Sequence, residues 1–299
     1  MASLLVGPAN LFALPTPLAE TIFTQIRLPR TLLGLLTGAT LAMSGAALQG
    51  LLRNPLASPD ILGTSAGAAL GAVSTGYLLA LGGTVWMSFG GMAGAIIALT
   101  LLLALAGRGA STTTLILAGV AISALAGAAM NLALALSPSP FALYDIIFWL
   151  LGSLADRSTQ DLLFGSIPMI LGCALLLTTG PSLDRLALGE DVAETLGVDV
   201  RRLRLKIIIA SGIAVGGAVS VTGAIGFVGL VVPHLVRPLL DERPGAALLP
   251  SAVAGAALLT IADLATRMPV AGRTLPIGVL TALIGAPFFL WLILKARRI

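Results

Sequence analysis

The strongest constraint in this chain is where charge is missing. Residues 31–52, 61–107, 109–144, 162–183, 207–236, 244–262 and 274–294 contain no Asp, Glu, Lys or Arg; the shortest run is 19 residues and the longest 47. A hydrocarbon layer about 30 Å thick is crossed by about 20 helical residues at about 1.5 Å each. Backbone polar groups in lipid must find partners within the segment, so such runs read as helices. Composition agrees: 57% of the 299 residues are hydrophobic, 10% are charged, and the mean hydropathy is +1.04. A soluble domain carries about 25% charged residues, so a soluble globular enzyme and a disordered chain are both excluded. The 35 glycines follow no Gly-X-Y period, which excludes collagen, and the one cysteine, Cys173, excludes an intramolecular disulfide and a cysteine metal cage.

The runs predict nine spans, at about 30–50, 60–81, 85–106, 113–136, 162–180, 205–223, 225–239, 247–266 and 276–295. Gly82-Gly83 divides the 47-residue run, and Ser137-Pro138-Ser139-Pro140 closes the fourth span. Residues 141–155 read as a short interfacial helix, a depth that suits Tyr144 and Trp149. Residues 1–19 carry Pro8, Pro15 and Pro17 and read as neither a span nor a signal peptide, which would begin with a basic segment.

The net charge of +4 and pI near 10 suggest nucleic acid at first sight, but the basic residues are distributed as topology signals. With nine spans, one side holds five of the 17 (Arg27, Arg30, Arg157, Arg267 and Arg273) and the other side holds twelve. The richer side, with the C-terminus, is predicted to be cytoplasmic. Gly34/Gly38, Gly67/Gly71, Gly90/Gly94 and Gly212/Gly216 recur at spacings of four, which suits close helix packing within a subunit or along a dimer seam.

Two loops carry polar detail. Residues 181–206 alternate charged residues with Leu186, Leu188, Val192, Leu196 and Val198, and Gly189 and Gly197 bracket Glu190–Leu196. Two short helices with a glycine break fit this pattern. Their apolar face and charged rim suit docking into a partner groove, though an ordinary solvated loop has the same composition. The other loop, 53–60, has Pro55 and Pro59 to stop helices and Asp60 in a capping position.

Five segments in order then become recognisable: Arg27-Leu28-Pro29-Arg30, LAMSGAALQGLLRNPLASPDILGTSAGA, ALGEDVAETLGV, GAIGFVGLVVPHLVR and LPIGVLTALIGAPFFLWL. Over residues 25–298 the chain resembles the FecCD-type permeases, membrane subunits of ABC importers for ferric siderophores, haem and vitamin B12. The resemblance implies an all-α polytopic bundle of the type II importer kind. It implies a second permease subunit, identical or paralogous, two cytoplasmic ABC ATPases that hold ATP and Mg, and a periplasmic substrate-binding protein. Family members have ten helices, and here the first looks truncated or degenerate. The whole chain, 1–299, reads as one permease domain in the bacterial inner membrane, with 181–206 as its cytoplasmic coupling loop.

Residue roles follow from the same resemblance. Leu188, Gly189, Glu190, Ala193, Leu196 and Gly197 would couple to the ATPase. Asn54 and Leu56, with Ser111, Thr112 and Thr113, would narrow the cytoplasmic exit, although Ser111 or Thr112 would equally serve as a helix cap. Arg27, Arg30 and Arg267, with Arg273 a weaker candidate, would meet acidic side chains of the binding protein, against the alternative of interfacial snorkelling. His234 is read as a boundary residue, Asp263 and Arg267 as a helix-face ion pair in preference to a proton path, and Met43, Met130 and Cys173 as packing residues. No metal ligands or resident cofactors are expected, since the cargo would cross as an intact chelate, with a ferric siderophore favoured by RNPLASPDILG. A self-contained secondary transporter would need more buried ionisable groups than Asp263. An intramembrane enzyme would need more than one His and no HExxH is present; no GxxxxGK[ST] precedes either lysine, Lys206 or Lys295.

Overall fold

The structure, a computed structural model, describes residues 15–79, 83–107, 111–137, 139–268 and 275–296, together with Ser3. Arg273, Arg108, Arg297, Arg298, Gly82 and Pro138, on which the sequence reading drew, lie outside the described residues, as do most of positions 1–14.

Helices cover all nine expected segments. The long ones are α1 (Thr16–Leu52), α3 (Gly83–Ala106), α4 (Thr112–Ala135), α6 (Thr159–Leu177), α9 (Val200–Thr222), α11 (Leu248–Thr266) and α12 (Ile277–Ala296). The second segment is more broken than expected, and the seventh is the short one the sequence predicts at 225–239. The second is a 3-10 turn, Pro59–Leu62, then α2 (Thr64–Val73) and a π turn, Ser74–Leu78; the seventh is α10 (Val228–Val236) and a 3-10 turn, Arg237–Leu240. The expected interfacial helix is α5 (Pro140–Leu150), and the polar loop folds into α7 (Gly180–Leu186) and α8 (Glu190–Thr195). Among the described residues, six helices are long and apolar enough to cross a membrane, which makes this a multi-pass membrane protein.

The first helix departs most from expectation. It begins at Thr16 and runs 37 residues, about 55 Å. Pro17 lies in its first turn, where a missing N–H costs nothing, so that proline starts the helix. Pro29 is inside it, and the π turn at Phe23–Arg27 lies immediately upstream, where the proline would otherwise crowd the preceding turn. The helix stops at Arg53, which adopts a left-handed conformation (φ 48°) ahead of Pro55.

α1 and α9 form the centre. The most apolar window of each is 78% buried, against 28–39% for α3, α4, α6 and α11. Buried residues Leu33, Leu41, Met43 and Leu48 of α1 pack with Ile207, Ile208, Val215 and Val219 of α9. Glycines let the backbones approach. A Cβ on Gly38 would strike the carbonyl of Gly255 in α11, and one on Gly67 would lie 2.7 Å from the carbonyl oxygen of Gly94 in α3. Gly212 and Gly216 face Leu99 and Ala95. All these partners are in the same chain, so the four-residue glycine spacings serve packing within the subunit. Met43 and Met130 are buried, and Cys173 packs against the core within 3.5 Å of the Thr40 hydroxyl.

Gly127 offers a contrast, since a Cβ there would meet nothing within 4 Å. Gly38→Ala is expected to lower the melting temperature of the purified protein by the equivalent of about 1–3 kcal/mol. Gly127→Ala is expected to leave it unchanged or raise it by up to about 1 kcal/mol. Thermal unfolding in detergent, followed by tryptophan fluorescence, checks both.

Candidate functional site

The polar residues gather at the two ends of the bundle. At one end α7 and α8 form a hairpin hinged on glycines: Gly189 has φ 118° and Gly197 φ 82°, conformations that disfavour a side chain. Ala193 is fully buried beneath the hairpin, whereas Leu188, Val192 and Leu196 are 65%, 44% and 49% exposed. Three large apolar side chains thus point away from the fold beside Glu190, Asp191 and Glu194. The hairpin is tied to the body twice. Glu190 accepts from Arg204 Nη2 of α9 at 3.2 Å. Asp184 accepts from Arg243 Nη2 at 2.9 Å and from the Gly245 N–H at 2.7 Å, just ahead of α11. Asp199 caps α9 through the Arg202 N–H at 2.9 Å.

The 53–58 loop lies at the same end, because Gly50 abuts Leu183 and Pro244. Asn54 Oδ1 accepts from the Leu56 N–H at 2.9 Å, which closes a tight turn and leaves Leu56 exposed. Ser111 caps α4 by accepting from the Thr114 N–H at 3.1 Å, so the capping alternative describes its geometry; Thr113 is exposed and Thr112 half-buried. Sequence reasoning missed Gln49. It is fully buried, and its Nε2 donates to the carbonyls of Ala57 in the loop and Leu230 in α10, both at 3.2 Å. Its Oε1 is buried with no hydrogen-bond partner. A glutamine inside an otherwise apolar stretch of α1 was the available signal.

The opposite end carries the arginines. Asp263 and Arg267 make the expected helix-face pair, Nη2 to Oδ2 at 2.6 Å, and Arg30 of α1 joins it, Nη2 to Oδ1 at 2.7 Å. Arg27, one turn before Arg30, is buried. Arg30 and Arg267 therefore do not snorkel freely; they are held by a carboxylate that sequence spacing linked only to Arg267. These two line a cavity of about 430 Å³ with Tyr77, Trp149, Asp145, Asp156 and Arg157. Arg157 sits in the loop between α5 and α6, where burial pulls its pKa below the usual arginine value and Asp161 and Asp156 oppose that. The π turns of α1 and α2 flank this end, one leading into Arg30 and the other carrying Tyr77. His234, at the last turn of α10, meets the Phe288 ring edge-on with centroids 5.9 Å apart. Among the described residues no three His, Cys, Asp or Glu side chains gather to hold a metal.

A helical membrane bundle with these two ends and this helix order has the fold of an ABC importer permease. The chain belongs to the FecCD transport family, whose model matches residues 2–295. It is the permease of an ABC importer, and a transport subunit rather than a catalytic enzyme. It is 42% identical over 300 residues to the vitamin B12 import system permease protein BtuC of Escherichia coli O9:H4, covering 98% of this chain and 89% of that one. It is also 42% identical to the hemin transport system permease protein HmuU of Yersinia pestis, covering 93% and 84%. A solved inward-facing structure assigned to the metal-chelate type of ABC transporter superposes with a TM-score of 0.88 at 35% identity, covering 98% of this chain and 94% of that one.

The Gln49 clamp makes a specific prediction. Gln49→Leu removes the donor shared by Ala57 and Leu230, a loss of about 1–3 kcal/mol. In a background with Cys173→Ala and Ser58→Cys, maleimide labelling at position 58 is expected to accelerate severalfold over the same background with Gln49 intact.

Proposed function

We propose that this chain is the gated conduit of an ATP-driven importer that carries an intact metal chelate across the bacterial inner membrane. The observation that supports it most is the α7–α8 hairpin. Its exposed Leu188, Val192 and Leu196 make an apolar knob with an acidic rim, and its two polar ties reach α9 and the start of α11. Both helices run the length of the bundle to the arginine end. A partner ATPase gripping the knob would therefore pull on helices that end beside Asp263 and Thr222, which suits alternating access by rigid-body movement. On this reading Leu188, Gly189, Glu190, Leu196 and Gly197 form the coupling surface within 181–206; Ala193, expected there too, is fully buried and supports the hairpin from beneath instead, and the whole chain acts as one permease domain.

The remaining roles follow. The hairpin end is cytoplasmic, in keeping with its share of basic residues. Asn54, Leu56, Ser111, Thr112 and Thr113 narrow the exit. Arg27, Arg30 and Arg267 face the periplasmic binding protein, with Arg30 the more available because Arg267 is only 5% exposed. The partners are two ABC ATPases, that binding protein and a second permease subunit. ATP and Mg belong to the ATPases, and the chain itself holds no cofactor. The cargo is a ferric siderophore; cobalamin or haem is the second reading, favoured by the names of the two relatives.

The test is reconstitution. With its ATPase and binding protein in proteoliposomes, the chain is expected to import the chelate that the binding protein captures, only when ATP is supplied on the hairpin side. Flux by the permease alone would overturn the reading in favour of a secondary transporter. Gly197→Trp places a side chain on a left-handed backbone at the edge of the knob. It is expected to abolish uptake and substrate-stimulated ATP hydrolysis while leaving membrane insertion intact; native rates of both would count against the coupling role.

A further inference from the structure

The carboxylate that holds the rim arginines belongs to this chain. Asp263 Oδ1 accepts from Arg30 Nε at 2.9 Å and Nη2 at 2.7 Å, and Oδ2 accepts from Arg267 Nε at 3.0 Å and Nη2 at 2.6 Å. The Asp263 side chain is 3% exposed. Arg267 directs its other donors to Ser3, Nη1 to the carbonyl at 2.7 Å and Nη2 to Oγ at 3.0 Å. Arg30 is 20% exposed and borders the outer cavity.

Among the described residues around this cavity, charge is balanced from within. Arg27, Arg30, Arg157 and Arg267 stand beside Asp145, Asp156, Asp161 and Asp263. An acidic group approaching Arg30 meets a guanidinium already paired with a carboxylate of this chain, and gains it only if Asp263 yields it. Asp263 is the acid that holds two of the three arginines assigned to docking, Arg30 and Arg267, and it holds each through two nitrogens.

We propose that Asp263 is an internal competitor for the docking carboxylate of the substrate-binding protein. While the partner is away, Asp263 satisfies Arg30 and Arg267 and keeps the face neutral. On docking, the partner's carboxylate takes over or shares Arg30, the more exposed of the two. The competition weakens docking and lets the emptied binding protein leave. This rests on the docking role proposed above for Arg30 and Arg267. It deepens that role by naming the group that opposes docking.

Asp263→Asn removes the charge and keeps an acceptor oxygen in nearly the same shape. In the assembled importer, the Kd for its own substrate-binding protein is expected to fall about fivefold, the scale of one unit charge at a partly screened contact, with a steeper dependence on salt. An unchanged or higher Kd overturns the proposal. Arg30→Gln in the same titration separates the two levels. Weaker docking in Arg30→Gln beside an unchanged Kd in Asp263→Asn removes the competitor and leaves the docking role standing; no change in Arg30→Gln overturns both. Should Asp263→Asn fail to assemble, Asp263→Asn combined with Arg267→Gln keeps the local charge at its native value and releases Arg30 alone. A Kd below that of Arg267→Gln alone is expected there, and a Kd equal to or above that of Arg267→Gln alone overturns the proposal.

Discussion

Everything in this molecule depends on how closely α1 approaches its neighbours. Lipid tails are as apolar as leucine, so hydrophobic burial does not press helices together inside a bilayer; dispersion and close backbone contact must do so. Gly38 against Gly255 and Gly45 against Gly229 bring α1 within backbone contact of α11 and α10. Cβ atoms at these points would push the elements apart and detach the polar joints at both ends from one another. The glycine content is therefore a mechanical specification. It sets a rigid central column on which both ends are mounted.

The polar joints differ in character. At the hairpin end they are short links between a protruding element and the column, Asp184 to Gly245 and Glu190 to Arg204, with exposed leucines beyond them. At the arginine end they are buried and multiply bonded, with Asp263 binding two helices through four nitrogens of Arg30 and Arg267. A buried pair broken on one side leaves an uncompensated charge, so Arg30 gives up Asp263 cheaply only to another acceptor. That suits the exchange of partners proposed for this face.

Much of this was legible in the chain as a string of residues. Charge-free runs located every long helix, Gly189 and Gly197 bracketed α8, and the i, i+4 spacing paired Asp263 with Arg267. The extension of α1 back to Thr16 was not foreseen, because Pro15 and Pro17 argued against a span in residues 1–19; a proline's effect depends on its position, and Pro17 falls in the first turn, where it starts a helix. The breaks around α2 were also illegible, since an apolar run does not record where 3-10 and π turns interrupt it. Gln49 was overlooked because its partners, Ala57 and Leu230, meet only after folding.

By itself, the sequence determined a membrane-embedded helical bundle, its segment order and the unequal charge of its two ends. These follow from local rules: backbone hydrogen bonds must close within each apolar run, and basic residues are distributed by side. The tertiary structure alone decided which glycines face which carbonyls, that Arg30 crosses to Asp263 on a helix 233 positions away, and that the hairpin is tied to α9 and to the start of α11. Such pairings depend on the relative placement of segments far apart in the chain, and no local spacing encodes that.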